Sequence, residues 1–126
     1  MRADHLRGGR YAQRRHQLPL SDVPKASGSP YVTWVELAAA AVHGRGQEPA
    51  WYASSDAAKR GFCPRCGTPV AFLYNDGRDI DLPSVLFDQP EAFPPQDEIW
   101  TDSRRSWVAP YPELPQHAQD RVDEDA

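Results

Sequence analysis

Residues 61–68 read Gly61-Phe62-Cys63-Pro64-Arg65-Cys66-Gly67-Thr68 and hold both cysteines of the chain. Two thiols separated by two residues converge when the chain turns tightly between them. Pro64 presets such a turn, and Gly67 can take the positive φ that lets backbone N–H groups face the sulfurs. The pair, Cys63 and Cys66, supplies half of a tetrahedral zinc site, because zinc takes four nitrogen, sulfur or oxygen ligands. A redox dithiol is one alternative, but Gly67 and Pro69 oppose the following helix that would depress a thiolate pKa. Two inert thiols are the other. The Cys-Pro-x-Cys-Gly form is moderately specific for a zinc knuckle and says little about activity.

Outward from this turn, composition narrows the class. At 126 residues the chain suits one domain, and 13 prolines with 8 glycines favour short strands and many turns over helices. A net charge of −4 argues against a nucleic-acid binder, which usually carries a basic face. No stretch approaches the roughly 20 apolar residues of a membrane span, and no signal-peptide h-region is read after Met1. Cysteines used as metal ligands fit a reducing compartment, so the expectation is a cytoplasmic protein with neither nucleic-acid nor membrane partners.

Tyr31 to Val35 is β-branched and aromatic, and residues 31–35 are expected to form a strand. Further strands are expected at 48–55, 68–74 and 78–83, the last two joined at Asn75-Asp76-Gly77. Val85-Leu86-Phe87 reads as another short strand. Leu37 to Val42 is Ala-rich enough for one helical turn, and His43 beyond it reads as solvated or capping. Ile99-Trp100 and Trp107-Val108 read as late aromatic anchors, with Asp102, Arg104 and Arg105 in a solvated turn between them. Residues 1–24 are a basic arm without apolar period, and 116–126 a disordered acidic tail.

Four stretches carry a family resemblance. They are Lys25-Ala26-Ser27-Gly28-Ser29-Pro30-Tyr31-Val32-Thr33-Trp34, then Gly61-Phe62-Cys63-Pro64-Arg65-Cys66-Gly67-Thr68-Pro69. After them come Pro90-Glu91-Ala92-Phe93-Pro94-Pro95-Gln96-Asp97 and Ile99-Trp100-Thr101-Asp102-Ser103-Arg104-Arg105-Ser106-Trp107. In this order they resemble the glutathione-dependent formaldehyde-activating enzyme family, also called the centromere protein V family, over a domain at 25–115. The resemblance implies an all-β fold of short antiparallel strands, the zinc-binding β-tent. It also implies carbon–sulfur lyase chemistry on a glutathione–formaldehyde adduct, with zinc as cofactor. In that pattern Cys63 and Cys66 match the later pair of a structural zinc site, while an early Cys-x-Cys completes it. A second zinc lies on a Cys-His-Cys-x-x-Cys-Arg motif just before the Ala-Ser-Gly segment.

The chain departs from that pattern upstream. Leu18-Pro19-Leu20-Ser21-Asp22-Val23-Pro24 stands where the catalytic cysteine motif belongs, the early Cys-x-Cys is missing, and Glu98 replaces a common histidine. Codon degeneracy permits residues 4–25 to read, one base later, as IICGAVGMRSGAINCHCRMCRK. The shifted cysteines then fall at Leu6, Leu18, Leu20 and Val23. One hypothesis is therefore a frameshifted segment, and the other a divergent terminus; an unbroken reading frame on resequencing codons 1–30 would sink the first. As written, the chain lacks the catalytic ligands, and the expectation is an impaired lyase-family protein. The alternative is a non-catalytic zinc-knuckle module that binds a protein partner through Trp34, Trp100 and Trp107.

Overall fold

The computed structural model describes residues 10–14, 27–44, 46–111 and 113–119. Seven strands lie among them, as β1 Arg10–Arg14, β2 Val32–Ala38, β3 Ala50–Ala53, β4 Ala58–Phe62, β5 Pro69–Tyr74, β6 Asp79–Pro83 and β7 Asp97–Ile99. They form one sheet in the order β3-β4-β5-β6-β2-β1-β7. Every neighbouring pair is antiparallel except β1 and β7, which run parallel. The helical turns lying wholly within the described residues are 3-10 pieces of three residues, so the fold is essentially all-β as the composition suggests.

Alternation along the strands buries both faces of this sheet, because successive side chains point to opposite sides. On one face Val35 and Leu37 pack with Ala71, Ile80, Leu82 and Phe87. On the other, Trp34 packs with Ala58 and Phe72, flanked by Val32 and Tyr74. Phe72 and Tyr74 meet edge-on with ring centroids 5.1 Å apart, and the Arg60 guanidinium lies 4.9 Å from the Phe72 ring centroid.

The turn at Asn75-Asp76-Gly77 is where the sequence places it. Gly77 has φ of 72° and donates its N–H to Tyr74 O at 2.9 Å. Asn75 Nδ2 ties the hairpin to Asp56 O at 2.8 Å, and Asp76 Oδ1 accepts the Arg78 N–H at 3.0 Å.

Other expectations need correction. Residues 10–14, read as part of a basic arm without apolar period, contribute β1 between β2 and β7, where their backbone satisfies two edges. Leu37 continues β2, and the helical turn shrinks to Ala39–Ala41. Val85-Leu86 is no strand: Ser84–Leu86 is a 3-10 turn, with Val85 73% exposed. Asp97–Ile99, not anticipated as a strand, is buried throughout. Residues 116–119, part of the expected tail, lie among the described residues. Glu98 N–H donates to Pro115 O, His117 N–H to Glu98 O, and Trp100 N–H to Gln119 O, so residues 115–119 line β7. Trp107 is 74% exposed and anchors nothing, whereas Ile99 is fully buried. Arg104 is not wholly solvated, since its guanidinium pairs with buried Glu98 at 3.0 Å.

Candidate functional site

Strand β4 ends at Phe62 and β5 begins at Pro69, so the cysteine knuckle is the turn of the β4–β5 hairpin. Pairing slips at Gly61/Phe62, a bulge that re-aims the chain as it enters the turn. Cys63 N–H donates to Thr68 O at 2.8 Å and Gly67 N–H to Cys63 O at 2.7 Å. Gly67 makes that closure at φ of 78°, the left-handed conformation a side chain would resist.

Cys63 is half-buried and Cys66 exposed, both as free thiols. Cys66 Sγ lies 3.0 Å from Thr68 Oγ1. That hydroxyl holds the Cys66 thiol below its ordinary pKa, helped by the Thr68 backbone and the Cys63 side chain, while desolvation opposes them and the charge of Arg65 adds a lesser lowering. Hydrogen bonds to a thiolate favour the charged form in this way.

Two open hollows flank the knuckle and share Ser27 and Pro69. One, of about 370 Å³, has Trp34, Tyr52, Ser54 and Arg60 in its wall and reaches the knuckle at Gly67. The other, of about 380 Å³, runs past Ser29, Tyr31 and Thr33 and reaches it at Thr68. Ser27 sits at their junction in a turn of its own: its Oγ receives Ser29 N–H at 3.2 Å, and Ser29 Oγ donates to Tyr31 O at 2.7 Å. Gly28 follows Ser27 at φ of 69°. The Trp34 indole N–H is buried in this region and finds no hydrogen-bond partner among the described residues.

A model of the glutathione-dependent formaldehyde-activating enzyme family matches residues 21–103. The chain belongs to that family. The match takes in both the Ser27 turn and the knuckle, so the two features that meet at these hollows lie within one family domain. No curated protein matches the chain.

The family's association with zinc is a question of donors. Among the described residues no three of His, Cys, Asp and Glu gather where a cation could sit. Two thiols without third and fourth ligands do not fit a tetrahedral zinc centre. Leu18, Leu20 and Val23, at the catalytic motif, lie outside the described residues, as do His5, His16 and the shifted position Leu6.

Of the three tryptophans read as a partner surface, Trp34 is 2% exposed and belongs to the core, while Trp107 is 74% exposed. Trp100 is half-buried, and its backbone is left-handed at φ of 57°, a conformation that is rare for a bulky residue. Sequence reasoning did not anticipate Arg60, Tyr52 and Ser54 as lining residues. Alternation along β3 and β4 carries a signal: Tyr52 is directly opposite Arg60, which places both on one face.

Proposed function

We propose that this chain is a formaldehyde-activating-enzyme domain whose binding groove persists while its lyase activity is impaired. The observation carrying this reading is the junction of the two hollows at Ser27, beside the knuckle and inside the family match. A glutathione-type adduct has carboxylates and amides along an extended backbone whose sulfur carries the aldehyde carbon. Arg60 supplies positive charge toward its carboxylates, and Tyr52 and Ser54 supply hydroxyls to its amides. The relatives' reaction would be carbon–sulfur lyase chemistry in the cytoplasm, with the substrate sulfur held near a metal.

Zinc at Cys63 and Cys66 is proposed to be weak, since two thiolates leave half the coordination sphere to water. At the catalytic position, Leu18, Leu20 and Val23 have no donor atoms in their side chains. No reaction step is therefore assigned to a metal in this chain. Ser27 and Glu98 do not replace a thiolate cluster, because a hydroxyl and a lone carboxylate hold zinc far less tightly.

The test compares the chain as written with one carrying the shifted reading over residues 4–25. The restored chain should gain zinc and accelerate decay of the glutathione–formaldehyde adduct, whereas Leu18→Cys alone should do neither. Equal rates in the two proteins would place the chemistry elsewhere. The second reading, a non-catalytic interaction module, draws on the exposure of Tyr52, Trp107 and Tyr111. It expects no gain of activity on restoration and loss of partner binding on Trp107→Ala.

A further inference from the structure

We propose that Cys63 and Cys66 form a two-coordinate site for a soft monovalent cation, Cu(I), in place of half a zinc site. The inference stands on the disagreement between donor supply and zinc's demand, and is independent of lyase activity. Zinc has no preference for low coordination and is held tightly only when four ligands close around it. The described residues offer two thiols and no third His, Cys, Asp or Glu beside them. Cu(I) is softer, is selected by thiolate sulfur, and is satisfied by two such ligands.

The hairpin turn prepares that pair. The Cys63 N–H to Thr68 O and Gly67 N–H to Cys63 O bonds fix the loop from both ends before any cation arrives. Cys66 Sγ is steadied by Thr68 Oγ1 at 3.0 Å yet remains exposed, while Cys63 is partly sheltered. One sulfur thus anchors and the other stays open to exchange with an incoming thiol complex. Loading exchanges two thiol protons for one Cu(I), so the bis-thiolate complex carries one negative charge. Arg65, between the two cysteines in sequence, carries a charge of the opposite sign. No oxidation occurs in this step, and the cation enters already reduced.

The experiment titrates the reduced full chain with Cu(I), without oxygen, against the chromophoric Cu(I) chelator bicinchoninate. One equivalent should be captured, and X-ray absorption should report two sulfur neighbours. Cys63→Ser and Cys66→Ser should each weaken capture by at least about 100-fold, because a hydroxyl is a poor ligand for a soft cation. Blocking the native chain's thiols with N-ethylmaleimide should abolish capture, which covers the case in which a variant fails to fold. Zn(II) tested against a zinc chelator should be given up at low micromolar levels or below. The proposal is overturned by Cu(I) capture that survives alkylation, by absence of capture, or by three or more protein ligands on the metal. Stoichiometric zinc resistant to a strong chelator would overturn it too.

Discussion

Arg104 Nη2 lies 3.0 Å from Oε2 of Glu98, whose side chain is fully buried in β7 while that of Arg104 is 20% exposed. The same guanidinium nitrogen donates to Gln116 Oε1, and Gln116 Nε2 in turn donates to Tyr111 O at 2.9 Å. The pair therefore ties β7 to the segment that follows the last 3-10 turn. Removing Arg104 takes that counter-charge from the buried Glu98 carboxylate, which still accepts the Tyr111 N–H at 3.4 Å; breaking a buried pair in this way typically costs about 3–5 kcal/mol. Arg104→Ala should destabilise the fold by about 3 kcal/mol in urea unfolding, at the low end because its guanidinium reaches solvent. The double variant Glu98→Gln/Arg104→Met should be less damaged than the sum of the single changes. Additive losses would show that the pair is not coupled.

Gly61 is crowded on the side where a side chain would stand. A Cβ there would meet the Trp51 ring at 3.0 Å and Ala71 Cβ at 3.3 Å. Trp51 is on an edge strand and 38% exposed, so its ring can move, although the Lys59 ammonium lies 4.7 Å from the ring centroid. Ala71 is in the core and cannot. Gly61→Ala should destabilise by about 1 kcal/mol, and Gly61→Val by up to about 3 kcal/mol. Thermal melts of both variants check the order.

The β5–β6 turn makes a signed pH prediction. The Asp76 carboxyl is held below the usual carboxylate range, first by the Arg78 N–H, with desolvation opposing it and the Arg78 side chain and its charge assisting. A depressed folded-state pKa stabilises the fold above the unfolded pKa, and that stability is lost as pH falls through the folded value. Asp76→Asn should thus be less stable than the parent at neutral pH, with the gap closing in acid. Its exposed setting makes the effect modest and salt-sensitive. A gap that widens in acid would contradict this account.

Metal removal should leave the fold standing. The two apolar clusters are built mainly from the strands of the sheet, and neither contains a cysteine. Chelation with EDTA should therefore move the melting midpoint by no more than about 2 °C, unlike a small zinc finger whose folding is metal binding. A collapse of the melt would mean that metal ligation holds the hairpin in place.

Much of the local structure was readable residue by residue. Gly67 and Gly77 occupy the positive-φ positions their turns require, and Val32 to Val35 and Pro69 to Tyr74 fall in strands flanking them. These are short-range choices, governed by steric limits on φ and by side-chain shape. The family motifs were likewise legible, since they are a matter of residue order. So was the donor deficit, because counting cysteines needs no coordinates.

Partnership across the sheet was decided by the tertiary structure. Nothing in Arg10–Arg14 announces a strand between β2 and β7, and Asp-Glu-Ile is a poor strand sequence by side-chain preference. Both are strands because backbone N–H and C=O groups at a sheet edge need partners, and distant chain segments supply them. The fates of Trp34 and Trp107 differ for a related reason. Each is an indole between a hydroxyl residue and a valine in sequence, yet Trp34 lands on a covered face of an interior strand and Trp107 in a loop outside the sheet. Residue type set what each side chain would gain from burial; only long-range pairing decided which one was covered.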